Sequence, residues 1–423
     1  MAIRPRTAAF IAIAGVIVLG IAGTIAYNVA KSAPTTSASS GATSGAPRTI
    51  TWWVPDWDFA EGQKLVTTFE KQNPGLTVKM VQTTGATVAN QVSVALNSGN
   101  VPDVITDSIS RVQTYASKGQ VANLSSVYDS SMPKSDFAPG VVDAVSKSGK
   151  AYAVPYRWAT NALIYNPELF AAAGIKSPPK TWAQFEADAK KLTTGDVVGT
   201  AWPMSGDPND LVLRLLDFAV SDGSTIKNGE PTLTQSSVKN ALDLIGGSVK
   251  DGWASSSSYQ LNNTDIYNLF AQGRVAMYPG GVFDTDTATA AKVPIATAPL
   301  PGPKGVGTAQ GVGWAYIVPA KSTNKTDAEK LVAFLGKPAS MASLTLTFPA
   351  RVSATKAARF QTELRKPFVL QLSSHSIPAP TDPRWTSIIQ AVHDDIEQVA
   401  LGQSSSSDEA ATIVKQANAA LGK

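Results

Sequence analysis

Cysteine is absent from this chain of 423 residues. Disulfide bonds, thiolate metal ligands, a cysteine nucleophile and a lipid-modified N-terminal cysteine are therefore excluded. Histidine is nearly absent too, since only His375 and His393 occur, far apart and outside the spacing of zinc-binding helices. We interpret both as polar surface residues, and we predict no metal site and no cofactor. A chain of this length can instead derive its stability from a hydrophobic core.

Most of the chain has no excess of positive or negative charge. Four of the 36 basic residues lie within residues 1–48, which hold no Asp or Glu, so the rest is balanced at 32 basic and 32 acidic residues. No Lys/Arg cluster provides the basic face that nucleic-acid binding requires. The glycines within residues 302–313 do not stand between a strand and a helix, and a P-loop is missing. We therefore predict neither a nucleic-acid partner nor a nucleotide site.

The N-terminal segment has the character of a membrane-targeting sequence. Residues 8–30 carry no charge, are dominated by Ala, Ile, Val and Leu, and follow Arg4 and Arg6. Their length exceeds the apolar core of about 7–15 residues in a cleaved signal and approaches the ~20 residues that span a bilayer. The preceding basic residues favour a cytoplasmic N-terminus. We predict that residues 1–30 are an uncleaved anchor rather than a removed signal, and both place the body outside the cytoplasm.

Between this segment and the body, residues 31–47 are rich in Ser, Thr, Ala, Gly and Pro and predict a flexible tether. Strand and helix patterns then alternate. Strands are predicted at residues 49–54, 76–82 and 101–106, and helices at residues 59–71, 88–96 and 111–118. This alternation favours an open, mostly parallel α/β sheet, whose ligands bind beyond the carboxyl ends of the strands. Asp56 and Trp57 follow the first of these strands. Asp107 and Ser108 follow the third, so we expect all four on one rim.

The most informative stretch is KAYAVPYRWATNALIYNPELFAAAGIKSPPKTWAQF, residues 150–185. We predict that Pro155 ends a short strand and that the following Tyr-Arg-Trp triplet, residues 156–158, is displayed in a ligand-contacting loop. In an extended segment, the two aromatic side chains of the triplet would share one side and the arginine would face the other. Further along, Thr181 and Gln184 form a capping box that opens a helix at residues 182–192.

Four further motifs follow this stretch: NLFAQGRVAMYPGGVF at residues 268–283, APLPGP at 298–303, GVGWA at 311–315 and PARVS at 349–353. Together, and in this order, the five stretches resemble the extracellular solute-binding proteins of ABC transporters, in the carbohydrate-binding family related to maltose-binding protein. The resemblance extends from about residue 48 to the C-terminus.

This resemblance implies an α/β, two-lobe periplasmic-binding-protein-like fold, in which each lobe is a sheet flanked by helices and the ligand cleft lies between the lobes. It implies a discontinuous first lobe, residues 48–154 and 300–423 including the C-terminal helices, and a second lobe, residues 155–299. Crossings are expected near residues 154–155 and 294–303. The implied function is an extracytoplasmic receptor that closes over a sugar or oligosaccharide and delivers it to the permease subunits of an ABC transporter. We expect a monomer.

Aromatic faces beside charged side chains suit a sugar ring, which has a C–H face and an equator of hydroxyls. The candidate ligand-binding residues are Asp56, Trp57, Asp107, Tyr156, Arg157, Trp158, Gly281, Phe283, Asp284, Trp314 and Arg351. For any single aromatic residue taken alone, core packing is a more common role than ligand contact. The resemblance favours ligand contact for Tyr156, Trp158 and Trp314. The glycine pair that contains Gly281 permits close approach of a flat ligand, or is an ordinary tight turn.

Two other readings stay open. A secreted glycosidase needs two carboxylates about 5–10 Å apart, and the chain offers acids but no local pattern that singles out a pair. We therefore predict no catalytic residue and no enzyme activity. A sensor or adhesion domain on the same fold is the third reading.

Overall fold

The computed structural model describes residues 48–85 and 87–423. The predicted anchor at residues 1–30 and tether at residues 31–47 lie outside this part of the chain. Within the described part, every helix is too short or too polar to cross a membrane.

Strands and helices alternate through the first hundred described residues and then become unevenly distributed. The strands are β1 (Arg48–Pro55), β2 (Leu76–Thr83), β3 (Val104–Ser108), β4 (Ser146–Lys147), β5 (Lys150–Ala151), β6 (Val154–Ala159), β7 (Ala162–Tyr165), β8 (Thr225–Lys227), β9 (Glu230–Thr232), β10 (Met277–Gly280), β11 (Ala296–Ala298), β12 (Ala309–Ile317), β13 (Phe348–Pro349) and β14 (Ser376–Pro378). The α-helices are α1 (Asp56–Gln72), α2 (Val88–Ser98), α3 (Ile109–Ser117), α4 (Val141–Ala144), α5 (Pro167–Ala172), α6 (Trp182–Leu192), α7 (Pro208–Ser221), α8 (Gln235–Leu242), α9 (Ser248–Lys250), α10 (Asn263–Ala271), α11 (Val282–Ala290), α12 (Lys325–Leu335), α13 (Pro338–Leu344), α14 (Lys366–Ser374), α15 (Pro383–Thr386), α16 (Ile389–Ala400) and α17 (Ser406–Leu421). The predicted capping box of Thr181 and Gln184 is present at the start of α6.

The larger sheet of the described residues has seven strands, in the order β13-β6-β12-β3-β1-β2 with β14 added to β12. β1 runs parallel to β2 and β3, whereas β12 runs antiparallel to both β3 and β6. Parallel pairing in this sheet is therefore limited to β1 with β2 and β3 and to β12 with β14, and the prediction of a mostly parallel sheet is wrong where β12 and β13 pair antiparallel. Antiparallel pairing needs no helical crossover, so strands that return from distant parts of the chain can join the sheet in this direction.

The triplet at residues 156–158 lies inside β6 rather than in a loop. Pro155 is the second residue of this strand and lies opposite Ala315, beside an irregularity in β12. Proline is tolerated at a strand start or beside a bulge, where no ladder N–H is required of it. The prediction that Pro155 ends a strand is therefore wrong. Because β6 lies between β12 and β13, its side chains are positioned by the sheet.

The two larger of three hydrophobic cores divide the described chain into two lobes. The first core surrounds the seven-stranded sheet and includes Trp52, Phe69 and Tyr316. The second core includes Phe185 and Trp202 and lies beside an antiparallel sheet of order β10-β7-β11. We use first lobe and second lobe for the parts packed around these two cores.

The C-terminal helices pack in the second lobe. Trp385, Val392 and Ile413, which belong to α15, α16 and α17, are buried in the second core, and α17 lies against α8. This placement differs from our expectation that residues up to 423 complete the first lobe. An amphipathic helix shows which of its faces is buried, but its sequence does not show which core receives that face.

Apart from α11, whose Val282 also packs in the first core, the main chain passes between the two larger cores at three places within the described residues. The first crossing lies between Ala162 and Leu163, which follow β6 and belong to different cores. The second lies within β12, whose start packs in the second core and whose end packs in the first. The third is the segment between α14 and α15, which includes β14. The crossings expected near residues 154–155 and 294–303 are thus displaced along the chain, because β6 and β12 are long enough to carry the connection themselves.

Candidate functional site

Sheet register brings three candidate groups together at one edge of the first lobe. Trp314 of β12 lies directly between Ser108 at the end of β3 and Arg157 of β6. β1 ends nearby, and Trp57 in the first turn of α1 packs its indole edge-on against Trp314, with ring centroids 4.9 Å apart. Both indoles are only partly buried. This edge faces the second lobe across a cleft.

Arg157 connects the two sides of the cleft. Its Nε donates a hydrogen bond to Thr347 Oγ1 at 3.1 Å. Its guanidinium lies 5.5 Å from the centroid of the Trp57 ring and 5.6 Å from that of Phe283 in α11 of the second lobe. The Phe283 side chain is 48% exposed. Cation–π contacts of this kind contribute about 0.5–2 kcal/mol each.

Two cavities lie in the cleft. One of about 230 Å³ is lined by Ser108, Ser110 and Trp158 from the first lobe, by Asn209 and Leu213 of α7, and by the third crossing. A second, of about 120 Å³, is lined by Asn161, Leu213, Gly281, Phe283, Gln310 and Val312. The walls of both cavities therefore come from the two lobes and from the segments that join them. A flat polar molecule in either cavity would touch residues on both sides.

Tyr156 does not face the cleft. Its side chain is fully buried, its ring stacks on Tyr316 with centroids 4.6 Å apart, and its hydroxyl donates to Asp58. The predicted ligand contact is therefore not supported for this residue. Burial raises the pKa of Asp58 to about 6, against the opposing effects of the Tyr156 hydrogen bond and the Arg157 charge. Asp58 lies in the first turn of α1, which follows Pro55 and has no side-chain cap.

Trp158 is a core residue that also forms a cavity wall. It is fully buried, yet its ring lines the larger cavity. Gly311 and Gly313 of β12 make room for it, because a β-carbon at Gly311 would overlap the indole. The indole Nε1 has no hydrogen-bond partner among the described residues. Removing Trp158 should therefore affect packing as well as the cleft.

Two further candidates are bound into the interior of the first lobe. Asp107 is buried and paired with Arg111 and with the Tyr115 hydroxyl, which donates at 2.9 Å. Arg351 donates to Asp136 at 2.7 Å and to two backbone carbonyls at 3.0 Å. The charges of Asp107 and Arg351 are therefore paired with other groups inside the first lobe. Their predicted ligand contacts are not supported. Ser108 is the residue at the end of β3 that reaches the cleft.

Asp284 and Asp56 lie close to the cleft without lining either cavity. Asp284 accepts a hydrogen bond from the Tyr278 hydroxyl at 3.1 Å, and burial raises its pKa. Asp56 is exposed at the start of α1, where its carboxylate accepts from the Trp57 backbone N–H at 3.0 Å. Phe283 and Asp284 both lie in the first turn of α11.

Sequence reasoning missed the contributions of α7 and of the third crossing. Leu213 lines both cavities. The sequence around it predicts an amphipathic helix, but which turn of that helix reaches the cleft depends on how α7 packs. Residues 378–381 line the larger cavity and carry no motif.

One group of the described residues has metal-ligating character. Donor atoms of His393, Asp394 and Glu397 on α16 lie within 4.8 Å of one another. His393 is 8% exposed, which corrects its interpretation as a surface residue, and its Nε2 lies 3.1 Å from the Met204 carbonyl. Gln390 already donates to Asp394 at 2.7 Å. These protein partners occupy donor atoms that a metal ion would need.

Comparison with known proteins agrees with this arrangement. Residues 58–342 match the family described as bacterial extracellular solute-binding protein. The maltodextrin-binding protein MdxE of Bacillus subtilis is 24% identical over 378 residues, which cover 84% of this chain and 86% of that protein. The multiple sugar-binding protein of Streptococcus mutans is 26% identical over 293 residues, covering 64% and 67% respectively.

A solved structure confirms the predicted two-lobe α/β fold. The sugar-binding protein MalE from Xanthomonas citri is similar with a TM-score of 0.78, at 22% identity, over 88% of this chain and 97% of that chain. The family match spans more than half of the chain, including both lobes and the cleft between them. This protein therefore belongs to the family of bacterial extracellular solute-binding proteins.

Proposed function

We propose that this protein is a carbohydrate receptor that closes its lobes over a sugar or oligosaccharide and delivers it to the permease subunits of an ABC transporter. The observation that carries this proposal is the group of aromatic faces at the cleft, Trp57 and Trp314 from the first lobe and Phe283 from the second. Aromatic rings suit the C–H face of a pyranose, while Arg157, Ser108 and neighbouring amides can bond its hydroxyls. The similarity to sugar-binding proteins of other bacteria supports the same ligand class.

Only six of the eleven candidates are kept as proposed ligand contacts. We assign direct contact to Trp57, Trp158, Arg157, Gly281, Phe283 and Trp314, with Ser108 and Asn209 added from the cavity walls. Because these residues come from both lobes, a solute that touches them binds the closed arrangement more tightly than an open one.

The glycosidase alternative receives no support from the cleft. Such an enzyme needs one carboxyl group as acid and a second as base or nucleophile. Asp107 is paired with Arg111, and Asp284 accepts from Tyr278. Binding without chemical conversion is therefore our proposal, in line with a family of binding proteins.

The membrane partner is also a proposal. The uncharged residues 8–30 behind two arginines favour an N-terminal helix that keeps a monomeric receptor at the extracytoplasmic face. Retention of the full-length protein in membranes after a carbonate wash tests this anchor, and a mature N-terminus between residues 24 and 36 would contradict it.

A thermal-shift screen of the full-length protein against mono-, di- and oligosaccharides tests the main proposal. A ligand that binds only the folded state raises the melting temperature, and the stabilisation grows with the logarithm of the ratio of ligand concentration to Kd. We expect a rise with at least one carbohydrate and unchanged carbohydrate after incubation. Stabilisation only by amino acids or other charged solutes would contradict the proposed ligand class.

A further inference from the structure

Helix α7 reaches both the cleft and the second crossing. Asn209 and Leu213 line the cleft cavities from its first half. Asp217 and Ser221, one and two turns further on, lie against the start of β12. The helix is thus a rigid link between the residues that would touch a solute and a strand that joins the lobes.

Four hydrogen bonds hold the start of β12 in place. The backbone N–H of Gln310 donates to Asp217 Oδ1 at 2.6 Å, and its side-chain Nε2 donates to the Leu213 carbonyl at 3.2 Å. The backbone N–H of Thr308 donates to Ser221 Oγ at 2.7 Å. From the first crossing, the Thr160 hydroxyl donates to the Gln310 carbonyl at 3.0 Å. Gln310 is therefore held between α7 and the first crossing.

The Asp217 carboxyl is incompletely compensated in this buried place. Asp217 is 2% exposed and Gln310 is 3% exposed. Arg214 Nη1 lies 3.8 Å from Asp217 Oδ2, too far for a hydrogen bond, and this oxygen and Gln310 Oε1 both lack a partner among the described residues. Burial therefore dominates and raises the pKa of Asp217 to about 7, although the Arg214 charge, the Gln310 N–H and Asn161 act in the opposite direction.

The charged surroundings of Asp217 are sparse in the described part of the chain. Arg214 is the charged group that favours its ionised form. α8 and α16 also pack on α7, but Lys239 of α8 forms an ion pair within its own segment and His393 of α16 is turned to a backbone carbonyl. β12 presents the Gln310 backbone N–H to the carboxyl, and Asn161 beside the first crossing presents its side-chain amide.

We propose that Asp217 is a positioning residue that makes solute affinity depend on pH, because its ionised carboxylate holds Gln310 and the start of β12 against α7. A hydrogen bond to a charged acceptor is roughly twice as strong as one to a neutral acceptor. Ionisation therefore strengthens the Gln310 bond and fixes Leu213, Gln310 and Val312 as one wall of the cleft. This inference rests on the proposed function, since that wall is the one a bound sugar would touch.

Solute affinity and the free energy of unfolding change in opposite directions when Asp217 loses its proton. The pKa of Asp217 is raised above its unfolded value of 3.8, so its contribution to the free energy of unfolding decreases as pH rises from about 4 to about 7. Affinity instead increases with pH if the bound state favours the carboxylate. Asp217→Asn should therefore bind less tightly than the wild type at pH 8.5 while unfolding no earlier. If Asp217 had only a structural role, the substitution would lower both the solute affinity and the free energy of unfolding.

Calorimetric titration of the full-length protein with a carbohydrate from the screen, at pH 6 and pH 8.5, tests this coupling. We expect the wild type to bind about three- to tenfold more tightly at pH 8.5, since one pKa unit of coupling corresponds to a factor of ten. Asp217→Asn should have the same weaker affinity at both values. Ser221→Ala, which removes the bond to Thr308 but no titratable group, should retain the pH dependence. Asp58→Asn, which removes another acid with a raised pKa, should retain it as well.

A measurement without solute separates this inference from the proposed function. In selectively ¹⁵N-labelled, solute-free protein, the Gln310 backbone amide should shift with a midpoint near pH 7, and this titration should be lost in Asp217→Asn. Failure of every carbohydrate to bind would overturn the proposed function, while the amide titration would still decide the role of Asp217. An amide that does not titrate, or a pH dependence of affinity that persists in Asp217→Asn, would overturn the inference.

Discussion

Phe283 is the residue through which the second lobe presents an aromatic face to the cleft. Its ring is 48% exposed and lies over the Arg157 guanidinium. We expect Phe283→Ala to weaken carbohydrate binding by about 1–3 kcal/mol, the usual loss for an aromatic anchor, with little change in melting temperature. Tyr259→Ala is the matched control, because Tyr259 is 45% exposed but does not line either cleft cavity. Equal affinities of the two variants in calorimetric titration would argue against ligand contact at Phe283.

Trp158 has the opposite balance between packing and contact. Its buried indole fits against Gly311 and Gly313, so Trp158→Ala should lower the free energy of unfolding by about 3–5 kcal/mol. Binding should weaken too, because the larger cavity loses a wall. Urea denaturation and titration of the same variant measure the two effects. A variant with unchanged stability would contradict the packing role that the structure assigns to this residue.

At the scale of elements, α17 tests the assignment of the C-terminal helices to the second lobe. Ile413 is fully buried in the second core. Ile413→Ala should destabilise the protein by about 2–5 kcal/mol through the cavity it leaves. Hydrogen exchange should increase in α7 and α8, which pack with the C-terminal helices, more than in α1 or α3. Faster exchange confined to the first lobe would support the assignment expected from the sequence instead.

At the scale of the whole molecule, two lobes joined by three crossings should move relative to each other. In this structure Arg365 near the start of α14 contacts Asp286 of α11 at 2.7 Å, and Arg157 contacts Phe283. Both pairs link the lobes. We expect small-angle scattering to show a smaller radius of gyration at saturating carbohydrate than without it, because the ligand favours the closed state. An unchanged radius in the presence of confirmed binding would indicate a preformed pocket.

The sequence by itself determined the local elements, the family resemblance and the general composition of the site. The capping box at Thr181 gave the start of α6 because its hydrogen bonds are local. Trp57, Trp314 and Phe283 could be selected because aromatic residues near strand ends and glycines have few local roles. These inferences use neighbours within a few positions, or motifs in a characteristic order.

Only the tertiary structure decided which side chains reach the cleft. Tyr156 and Arg157 are adjacent in sequence, yet one is buried against Tyr316 and the other bridges the lobes, since β6 lies between β12 and β13. The sequence shows no partner for the Asp107 carboxylate. In the structure it is paired with Arg111 and accepts a hydrogen bond from Tyr115. Asp217 meets Gln310, 93 positions further along the chain, only because β12 packs against α7. Burial and pairing depend on such distant neighbours, and local pattern carries no information about them.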